Sequence, residues 1–421
     1  MKPPGVVDLL RAPGFAAYMT AAALMRFSQS ALLVLLGYHL YLLTHDPLTL
    51  GWLGLAQALP GITLVLYGGH VADRHSRWVL TVCMRGLYAG LAVLLALAAF
   101  RLGTALVPVI YGIAFAIGCC GAFSGPAIAG LEAEVVTRQH AMRAVSVLGA
   151  TNQMAALSGP VLGSLVFEVA GPGLTYALIG GAFALSATAI AVFVPNTPPA
   201  PRGQGHGAFA RIAEGIRAVT ADQLLIGSMA LDLFAVFFGG AAAMLPIFAT
   251  DILHVGASGF GVMRAAISVG GFLAMVVAMR HPPRERAGLA LLLAVAGFGA
   301  TVIVFAFSRS YLLSVAALVL MGASDGVSMV VRQGIMRLAV PGPMRGRVSA
   351  VRSVFLSSSN ELGDFESGVL ASFAGAVPAV WIGGVITLAV VAATAVLAPK
   401  LRDLDMAALE RDGADHVKVA A

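Results

Sequence analysis

Charged residues are scarce in this chain. Only 11% of the 421 residues are Asp, Glu, Lys or Arg, and the mean hydropathy is +0.90, whereas about a quarter of the residues in an ordinary soluble domain are charged. This composition excludes a soluble globular protein. Cysteine is also scarce. Cys83, Cys119 and Cys120 all lie in apolar stretches, without the spacing of a zinc site and without a visible disulfide framework.

Two motifs of well-understood chemistry are missing from the sequence. It contains no His-Glu-x-x-His zinc-protease pattern and no Gly-x-x-x-x-Gly-Lys-Ser/Thr phosphate-binding loop. The sequence therefore predicts no catalytic residue, no metal site and no cofactor, and it argues against an ATP-driven pump. A membrane-embedded enzyme is a distant alternative, and a pore or receptor is another.

Long apolar runs, in contrast, recur along the chain. A bilayer with a hydrocarbon core about 30 Å thick requires helices of about twenty apolar residues. The sequence predicts twelve such helices, called spans 1 to 12 here, and hence an all-α integral membrane protein. In chain order the spans are residues 14–40, 51–69, 78–100, 104–130, 143–170, 173–195, 223–250, 258–279, 288–308, 311–335, 350–376 and 378–398.

Basic residues are distributed unequally between the two sides of the predicted bundle. Nineteen of the 26 Lys and Arg residues fall in loops or termini on one side, whereas only Arg101 and Arg309 fall on the other. Because cytoplasmic loops carry the excess of positive charge, both termini are predicted to lie in the cytoplasm, beneath a bacterial inner membrane. The net charge of +6 thus indicates topology rather than nucleic-acid binding.

The hydrophilic stretch between spans 2 and 3, residues 69–77, carries a family pattern. Its acid and two arginines cannot lie in hydrocarbon, so the stretch is predicted to be a tight turn at the membrane surface. It resembles the signature loop of the major facilitator superfamily, with Ser76 and Trp78 in place of the usual glycine and basic residue. The matching residues are Gly69, Val71, Ala72, Asp73, Arg74 and Arg77. An ordinary charged turn is the alternative.

Span 5 contains Gly159, Pro160 and Gly163. Their spacing resembles the Gly-Pro-x-x-Gly motif of the superfamily's exporters, although the small residues expected earlier in the motif are only partly present. Such residues let helices approach closely and bend, as a pivot between moving parts requires. Ordinary helix packing is the alternative.

The longest hydrophilic interruption, residues 196–222, falls near the middle of the chain. It is predicted to be a cytoplasmic linker between two pseudo-symmetric six-helix bundles, residues 1–195 and 223–398, with a charged cytoplasmic tail at 399–421. An internal repeat at an offset of 204 supports this division, since duplicated halves are typical of transporters. The repeated pairs are Gly118 and Gly322, Gly130 and Gly334, Arg143 and Arg347, Gly159 and Gly363, Gly171 and Gly375, and Gly180 and Gly384.

Span 11 contains the most unusual run of the chain, residues 357–368, in which three carboxyl groups follow three serines near mid-bilayer. Together with residues 345–348 before it, residues 383–384 after it and residues 26–28 in span 1, this run resembles the enterobactin-exporter-like branch of the superfamily. The resemblance extends to about residue 398.

Ionised side chains inside spans cost a few kcal/mol each, so they face a cavity or a partner. The acids in this position are Asp232 in span 7, Asp325 in span 10, and Glu361, Asp364 and Glu366 in span 11. The resemblance implies that spans 1, 4, 7 and 10 line a central cavity, which would place Arg26, Asp232 and Asp325 towards it.

Proton coupling is the role that these charges suggest. Two nearby carboxyl groups repel, so one holds a proton that substrate binding can release. Glu361 and Asp364 are three residues apart and can share a helix face. We expect Asp232 and this pair to form the proton-coupling set, with Arg26 and Arg264 as their partners. A static ion-pair network is the alternative.

The resemblance also implies a cytoplasmic latch in which Asp73 holds the outward-facing state against the start of span 11. Span 4, however, lacks the arginine that drug exporters of the superfamily often carry, and Phe115, Gly118 and Cys119 occupy that region. This departure shifts the expected proton chemistry to Asp232 and span 11.

The sequence thus predicts a secondary active transporter, most simply a proton-coupled exporter (an antiporter) of a small amphiphilic molecule such as a siderophore or a drug. The proton gradient would be its energy source. Its partners would be the substrate and the lipid bilayer, with no nucleic acid and no obligate protein partner. An importer or symporter of the same fold is the alternative.

Overall fold

The computed structural model describes residues 14–136, 141–196, 208–340 and 344–408. The first half of the chain contains five long helices. They are α1 (Phe15–Thr44), α2 (Pro47–Arg74), α3 (Arg77–Arg101), α4 (Val107–Val135) and α5 (Ala141–Phe193), with a short 3₁₀ helix (Gly103–Leu106) before α4. Gly171 interrupts α5 with a φ of 77°, so α5 consists of two helical segments at the places predicted for spans 5 and 6.

The second half begins with a shorter helix in the predicted linker. The helices are α6 (Ala208–Ala221), α7 (Gln223–Phe238), α8 (Ala241–Ile247) continuing as a π-helix (Phe248–Ile252), α9 (Gly256–Arg280), α10 (Ala287–Phe307), α11 (Tyr311–Ala339), α12 (Arg345–Ala374), α13 (Ala376–Leu397) and the short α14 (Pro399–Arg402). Span 7 was expected to be continuous, but Gly239 and Gly240 separate α7 from α8.

The helices have the length and surface of membrane spans. Within the described ranges, nine helical stretches are long and apolar enough to cross a bilayer, the two segments of α5 counting as one. α2 and the charge-rich α12 lie where spans 2 and 11 were predicted but fall outside these nine. Large apolar side chains such as Val169 and Phe373 are more than four-fifths exposed, as a lipid-facing surface requires. The all-α membrane fold is confirmed, and the count of twelve stays a prediction.

Contacts divide the chain into two compact units. The first contains residues 1–203 and 255–265, and the second contains residues 204–254 and 266–421. In the first unit α1 and α3 pack on α5, and α2 packs on α4; in the second α10 packs on α11 and α13, and α12 packs on α7. The boundaries predicted for the four segments of the chain stay predictions.

Repeated glycines occupy equivalent places in the two units. Gly118 in α4 lies against the carbonyl of Gln57 in α2, and Gly322 in α11 lies against the carbonyl of Ile267 in α9. A side chain at either position would collide with backbone, so glycine at both positions allows the two helices to pack in direct contact. The same holds for Gly159, Gly363 and Gly384, which lie against backbone atoms of α1, α7 and α10 respectively. Gly180 packs tightly, but without such a collision, against Val93 and the carbonyl of Ala89 in α3.

A fourth repeated pair, Gly171 and Gly375, forms the one-residue connections between successive helical segments. Gly171 and Gly375 have φ angles of 77° and 91° with extended ψ, a conformation that glycine adopts without steric cost. Each ends one helical segment so that the next can reverse direction after only one residue. Gly171 and Gly375 therefore mark two positions of the repeat where the backbone conformation itself needs glycine.

Trp78, a departure from the family pattern, has a structural role in the first unit. Its Nε1 donates hydrogen bonds to the carbonyl oxygens of Ile190 at 3.2 Å and Val194 at 2.8 Å, which lie at the end of α5. Val194 lies just after the end of α5, where carbonyl groups lack a helical donor, so the bond from Trp78 gives its carbonyl a partner. The carbonyl of Ile190 also accepts the backbone N–H of Val194 at 3.1 Å. Trp78 packs beside a buried cluster formed by Phe15, Tyr18, Ala21, Leu131, Ala144, Leu148, Ile190 and Val194.

We predict that Trp78→Phe lowers the stability of the first unit by about 0.5–1.5 kcal/mol, the usual contribution of one hydrogen bond, because the single Nε1–H is shared between the two carbonyls. Thermal unfolding in detergent measures the effect. The matched control is Trp381→Phe in α13, because Trp381 stacks on Phe307 and a phenyl ring preserves that contact. Equal unfolding temperatures for the two variants would show that the Trp78 hydrogen bonds contribute nothing.

The chain after α13 folds back onto the second unit as a short strap. Leu401, Leu404 and Met406 are buried and join its main apolar cluster. Two backbone bonds fix them: Gly288 donates to the carbonyl of Leu404 at 3.2 Å, and Met406 donates to the carbonyl of Arg284 at 3.0 Å. The first part of the predicted tail is therefore an integral part of the unit.

Candidate functional site

Two carboxylates and one arginine meet inside the second unit. Asp325 and Arg332 lie seven residues apart on α11, which is about two helical turns, so they project from one face. Arg332 Nη1 pairs with Asp232 Oδ1 on α7, and Arg332 Nη2 donates to Asp325 Oδ1 at 3.3 Å. Arg332 Nε donates to the carbonyl of Ser328 at 3.2 Å. These three charged residues are called the carboxylate–arginine cluster below.

The two carboxylates of the cluster differ in exposure. The side chains of Arg332 and Asp232 are only 7% and 6% exposed, whereas that of Asp325 is 45% exposed. A buried charge requires a partner because removing it from water costs several kcal/mol. Arg332 provides that partner to Asp232, and it leaves Asp325 partly open to exchange with its surroundings.

A small cavity adjoins the cluster. Its volume is about 10 Å³, close to the size of one water molecule, and Asp232, Arg332, Ser228 and Arg352 contribute its polar lining. Arg352 reaches it from α12. The cluster thus has a second positive charge nearby and a space in which a single water could lie.

The predicted partners of Asp232 are wrong. The sequence suggested Arg26 and Arg264, but the structure pairs Asp232 with Arg332. Arg26 lies exposed on α1 in the first unit, and Arg264 lies partly buried within residues 255–265 of that unit.

A depth argument would have found the correct pair. Asp232 lies nine residues after the start of α7, and Arg332 lies seven residues before the end of α11. In the predicted topology spans 7 and 10 run in opposite directions, so the two side chains would reach similar depths in the membrane.

The acids of α12 lie where the sequence placed them along the helix. Glu361 is 16 residues after Arg345 and 13 before Ala374, which is close to the middle. Glu361, Asp364 and Glu366 are all partly buried. Ser367 Oγ donates to Glu366 Oε2 at 3.4 Å. Pairing of Glu361 with Asp364 stays a prediction.

A stripe of small residues on α12 explains how α12 tolerates these acids. Ser359 Oγ donates to the carbonyl of Leu233 at 2.8 Å, Gly363 lies against the backbone of Phe237, and Ser367 contacts Gly240. Residues four apart share one helix face, so Ser359, Gly363 and Ser367 form the face that packs on α7 and α8. The carboxyl groups project from other faces and stay out of that contact.

The predicted turn at residues 69–77 is largely helical, which corrects the sequence interpretation. α2 continues through Gly69, Asp73 and Arg74, and only His75 and Ser76 separate it from α3. Helix ends can extend beyond the hydrocarbon into the interface, where charged side chains meet water. The charged pattern thus marked the end of a helix rather than a loop.

Arg77 is anchored at the start of α3. Its Nη1 pairs with Glu134 Oε1 at 2.6 Å and donates to the carbonyl of Gly130 at 3.2 Å, both near the end of α4. Gly130 is required here because a side chain would collide with that of Arg77. Arg74 is exposed, and the Asp73 side chain lies outside the described part of the structure.

The Gly-Pro motif of span 5 forms a close contact with α1. Gly159 lies against the Ser30 side chain and the carbonyl of Phe27, and Gly163 lies against Ala31. Pro160 is buried between them inside α5. The motif therefore packs two helices, and its role as a pivot stays a prediction.

One further pattern in the sequence matches a hydrolase motif but lacks the structure that the motif requires. Residues 322–326 read Gly-Ala-Ser-Asp-Gly, the spacing of a hydrolase nucleophile elbow, but they lie inside α11 rather than at a strand-to-helix turn. Among the residues that the structure describes, no group of three His, Cys, Asp or Glu side chains could hold a metal ion.

Comparison with known proteins identifies a family and named relatives. A family model described as Major Facilitator Superfamily matches residues 18–363. The enterobactin exporter EntS of Shigella dysenteriae serotype 1 is 23% identical over 343 residues, covering 80% of each chain. The protein of the same name from Shigella boydii serotype 4 is 24% identical over the same length and coverage.

Solved structures share the fold at lower identity. A mutant of the nucleoside transporter NupG has a TM-score of 0.73 at 12% identity, covering 91% of this chain and 99% of that one. A bacterial homologue of the human lysosomal transporter Spinster has a TM-score of 0.68 at 14% identity, with coverages of 95% and 97%. Because the family model matches most of its length, this chain belongs to the Major Facilitator Superfamily.

Proposed function

We propose that the protein is a proton-coupled exporter of a small amphiphilic molecule in a bacterial inner membrane, with both termini in the cytoplasm. Membership of the superfamily makes it a membrane transporter of small molecules rather than an enzyme. The names of its curated relatives favour export and make a siderophore the first substrate class to test, with drug-like amphiphiles next. The proton gradient would supply the energy without a cofactor.

The observation that carries the proposal is the sharing of Arg332 by Asp232 and Asp325. Two carboxylates with one guanidinium leave a negative charge that burial disfavours, and a single proton neutralises it. Asp325, the more exposed acid, is the point at which the proton enters. Arg352, which lines the adjoining cavity, opposes proton uptake electrostatically, so the proton is held loosely enough to be released.

The remaining predicted site residues enter the proposal around this cluster. Glu361 and Asp364 extend the proton path along α12, with Arg26 and Arg264 as charges that the substrate meets. Gly69, Asp73, Arg74 and Arg77 form the latch of the outward-facing state. Gly159, Pro160 and Gly163 form the pivot of α5. The latch is tested by Asp73→Ala, for which labelling of engineered cysteines from the periplasmic side should fall.

Everted membrane vesicles test the proposal. With an imposed proton gradient and a pH-sensitive dye, adding a catecholate siderophore or a lipophilic cation should cause a proton leak. Asp232→Asn should abolish the leak while the protein still folds, because Arg332 keeps Asp325 as a partner. The matched control, Glu285→Gln, changes an exposed acid at the surface and should leak like the wild type.

An importer of the same fold is the alternative, and the same vesicles distinguish it. A symporter moves substrate and proton in one direction, so in everted vesicles with an acidic lumen it would carry substrate out of the lumen with the protons. A siderophore loaded inside would then leave faster with the gradient than without it. An exporter would instead concentrate the siderophore in the lumen.

A further inference from the structure

An apolar groove in the second unit has no part in the proposed transport chemistry. α6, α7 and α12 enclose it, and its volume is about 280 Å³. It is called the α6 groove below. Its lining residues are Ile216, Val219, Thr220, Ile226, Met229, Ala230, Leu233, Phe234, Val351 and Phe355.

The lining is suited to hydrocarbon and to little else. Thr220 contributes its one hydroxyl group, and that group already donates to the carbonyls of Ile216 at 3.1 Å and Arg217 at 3.2 Å. Phe234 and Phe355 are 44% and 45% exposed, so the groove is open at the surface of the helices and is not an enclosed cavity. In a membrane protein the surface of the helices within the bilayer meets lipid.

The groove exists because α6 is fixed in place by other contacts. Glu214 pairs with Arg347 of α12, and Gly215 lies against the backbone of Arg347. Val219 is buried in the apolar cluster of the unit. These contacts hold Ile216 and Thr220 over the gap instead of letting α6 settle into it.

A positive charge stands at the edge of the groove. Arg217 is exposed, and it lies three residues before Thr220, on the neighbouring part of the same helix face. The two acids nearest to it in the sequence are engaged: Glu214 pairs with Arg347, and Asp222 accepts the N–H of Leu224 at 2.8 Å at the start of α7. Arg217 is therefore available to an anion at the membrane surface, where basic side chains attract acidic lipid headgroups.

We infer that the α6 groove binds an anionic phospholipid, with one acyl chain between α6, α7 and α12 and the phosphate against Arg217. A single acyl chain gives only marginal membrane affinity, and stable anchoring takes a second, electrostatic contact. The groove and Arg217 supply these two contacts together. The bound lipid completes the packing of α6 against α7 and α12.

Native mass spectrometry of the purified full-length protein tests this inference. The probes are dioleoyl phosphatidylglycerol, which is anionic, and dioleoyl phosphatidylcholine, which is not. The wild type should retain one phosphatidylglycerol molecule, with phosphatidylcholine bound about tenfold more weakly, a difference of about 1.4 kcal/mol. Arg217→Gln should bind both lipids equally.

Variants that fill the α6 groove with a bulky side chain provide a second test. Ala230→Phe on α7 should remove the retained lipid, and Thr220→Phe should do so from the opposite wall if the first variant fails to fold. The control, Val385→Phe, adds the same bulk at an exposed position of α13 and should retain lipid like the wild type. A wild type without retained lipid would overturn the inference. Equal retention in the filled and control variants would also overturn it, by showing that the lipid binds only to the general surface.

Discussion

Replacing Arg332 with leucine should destabilise the second unit by about 3–5 kcal/mol, the usual cost of removing one partner from a buried ion pair. Asp232 is only 6% exposed and pairs with Arg332, so the variant leaves a charged carboxylate in an apolar interior or forces it to take up a proton. The expected result is a large fall in the yield of folded protein and in its unfolding temperature in detergent.

A second substitution separates this explanation from a simple packing defect. Combining Arg332→Leu with Asp232→Leu removes both members of the buried pair, and apolar replacements of a whole buried pair are often neutral. Asp325 also loses Arg332, but its side chain is 45% exposed, so the cost there is smaller. The double variant should therefore recover most of the lost stability. Arg309→Leu, at an exposed position, is the control for loss of a positive charge. A double variant as unstable as Arg332→Leu alone would contradict the role assigned to the pair.

Adding a single methyl group at Gly322 should also be strongly destabilising. The Cβ of Gly322→Ala would collide with the carbonyl of Ile267, and backbone cannot move aside without separating α9 from α11. Overpacking of this kind typically costs about 1–3 kcal/mol. Gly118→Ala should have a similar effect in the first unit, because its Cβ would meet the carbonyl of Gln57.

The control for these variants is a substitution that should raise stability. Gly90 lies in α3, and the carbon added by Gly90→Ala would have no neighbouring atom within 4 Å. Replacing glycine in a helix interior by alanine typically adds about 0.5–1 kcal/mol of stability. Thermal unfolding of the three variants in detergent should thus give two falls and one rise. Unchanged stability of Gly322→Ala and Gly118→Ala would show that the close helix contacts are not needed.

The sequence predicted the helices well because their cause is simple. A bilayer requires long apolar runs, and these are visible without knowledge of any contact. The repeated glycines were visible too, and the structure supplies their reason: Gly118 and Gly322 permit helix contacts, whereas Gly171 and Gly375 permit reversals. What the sequence could not give was the face that each helix presents to its neighbours.

The errors followed from that missing information. Asp232 was assigned to Arg26 and Arg264 because charge and helix number were considered without depth, and Arg332 was overlooked. The polarity of residues 69–74 predicts a turn only if polar residues are assumed to be non-helical, and α2 extends through them to Arg74 because a helix can continue past the hydrocarbon. The strap around Leu404 was missed because three apolar residues in a charged tail carry no periodic signal.

The most direct test of the account uses purified protein in proteoliposomes with an acidic lumen and a catecholate siderophore outside. A proton-driven exporter inserted with its cytoplasmic face outward should concentrate the siderophore inside, and collapse of the gradient with an ionophore should release it. Asp232→Asn, reconstituted in equal amount, should bind siderophore but fail to concentrate it. Accumulation by Asp232→Asn equal to that of the wild type would contradict proton coupling through the carboxylate–arginine cluster.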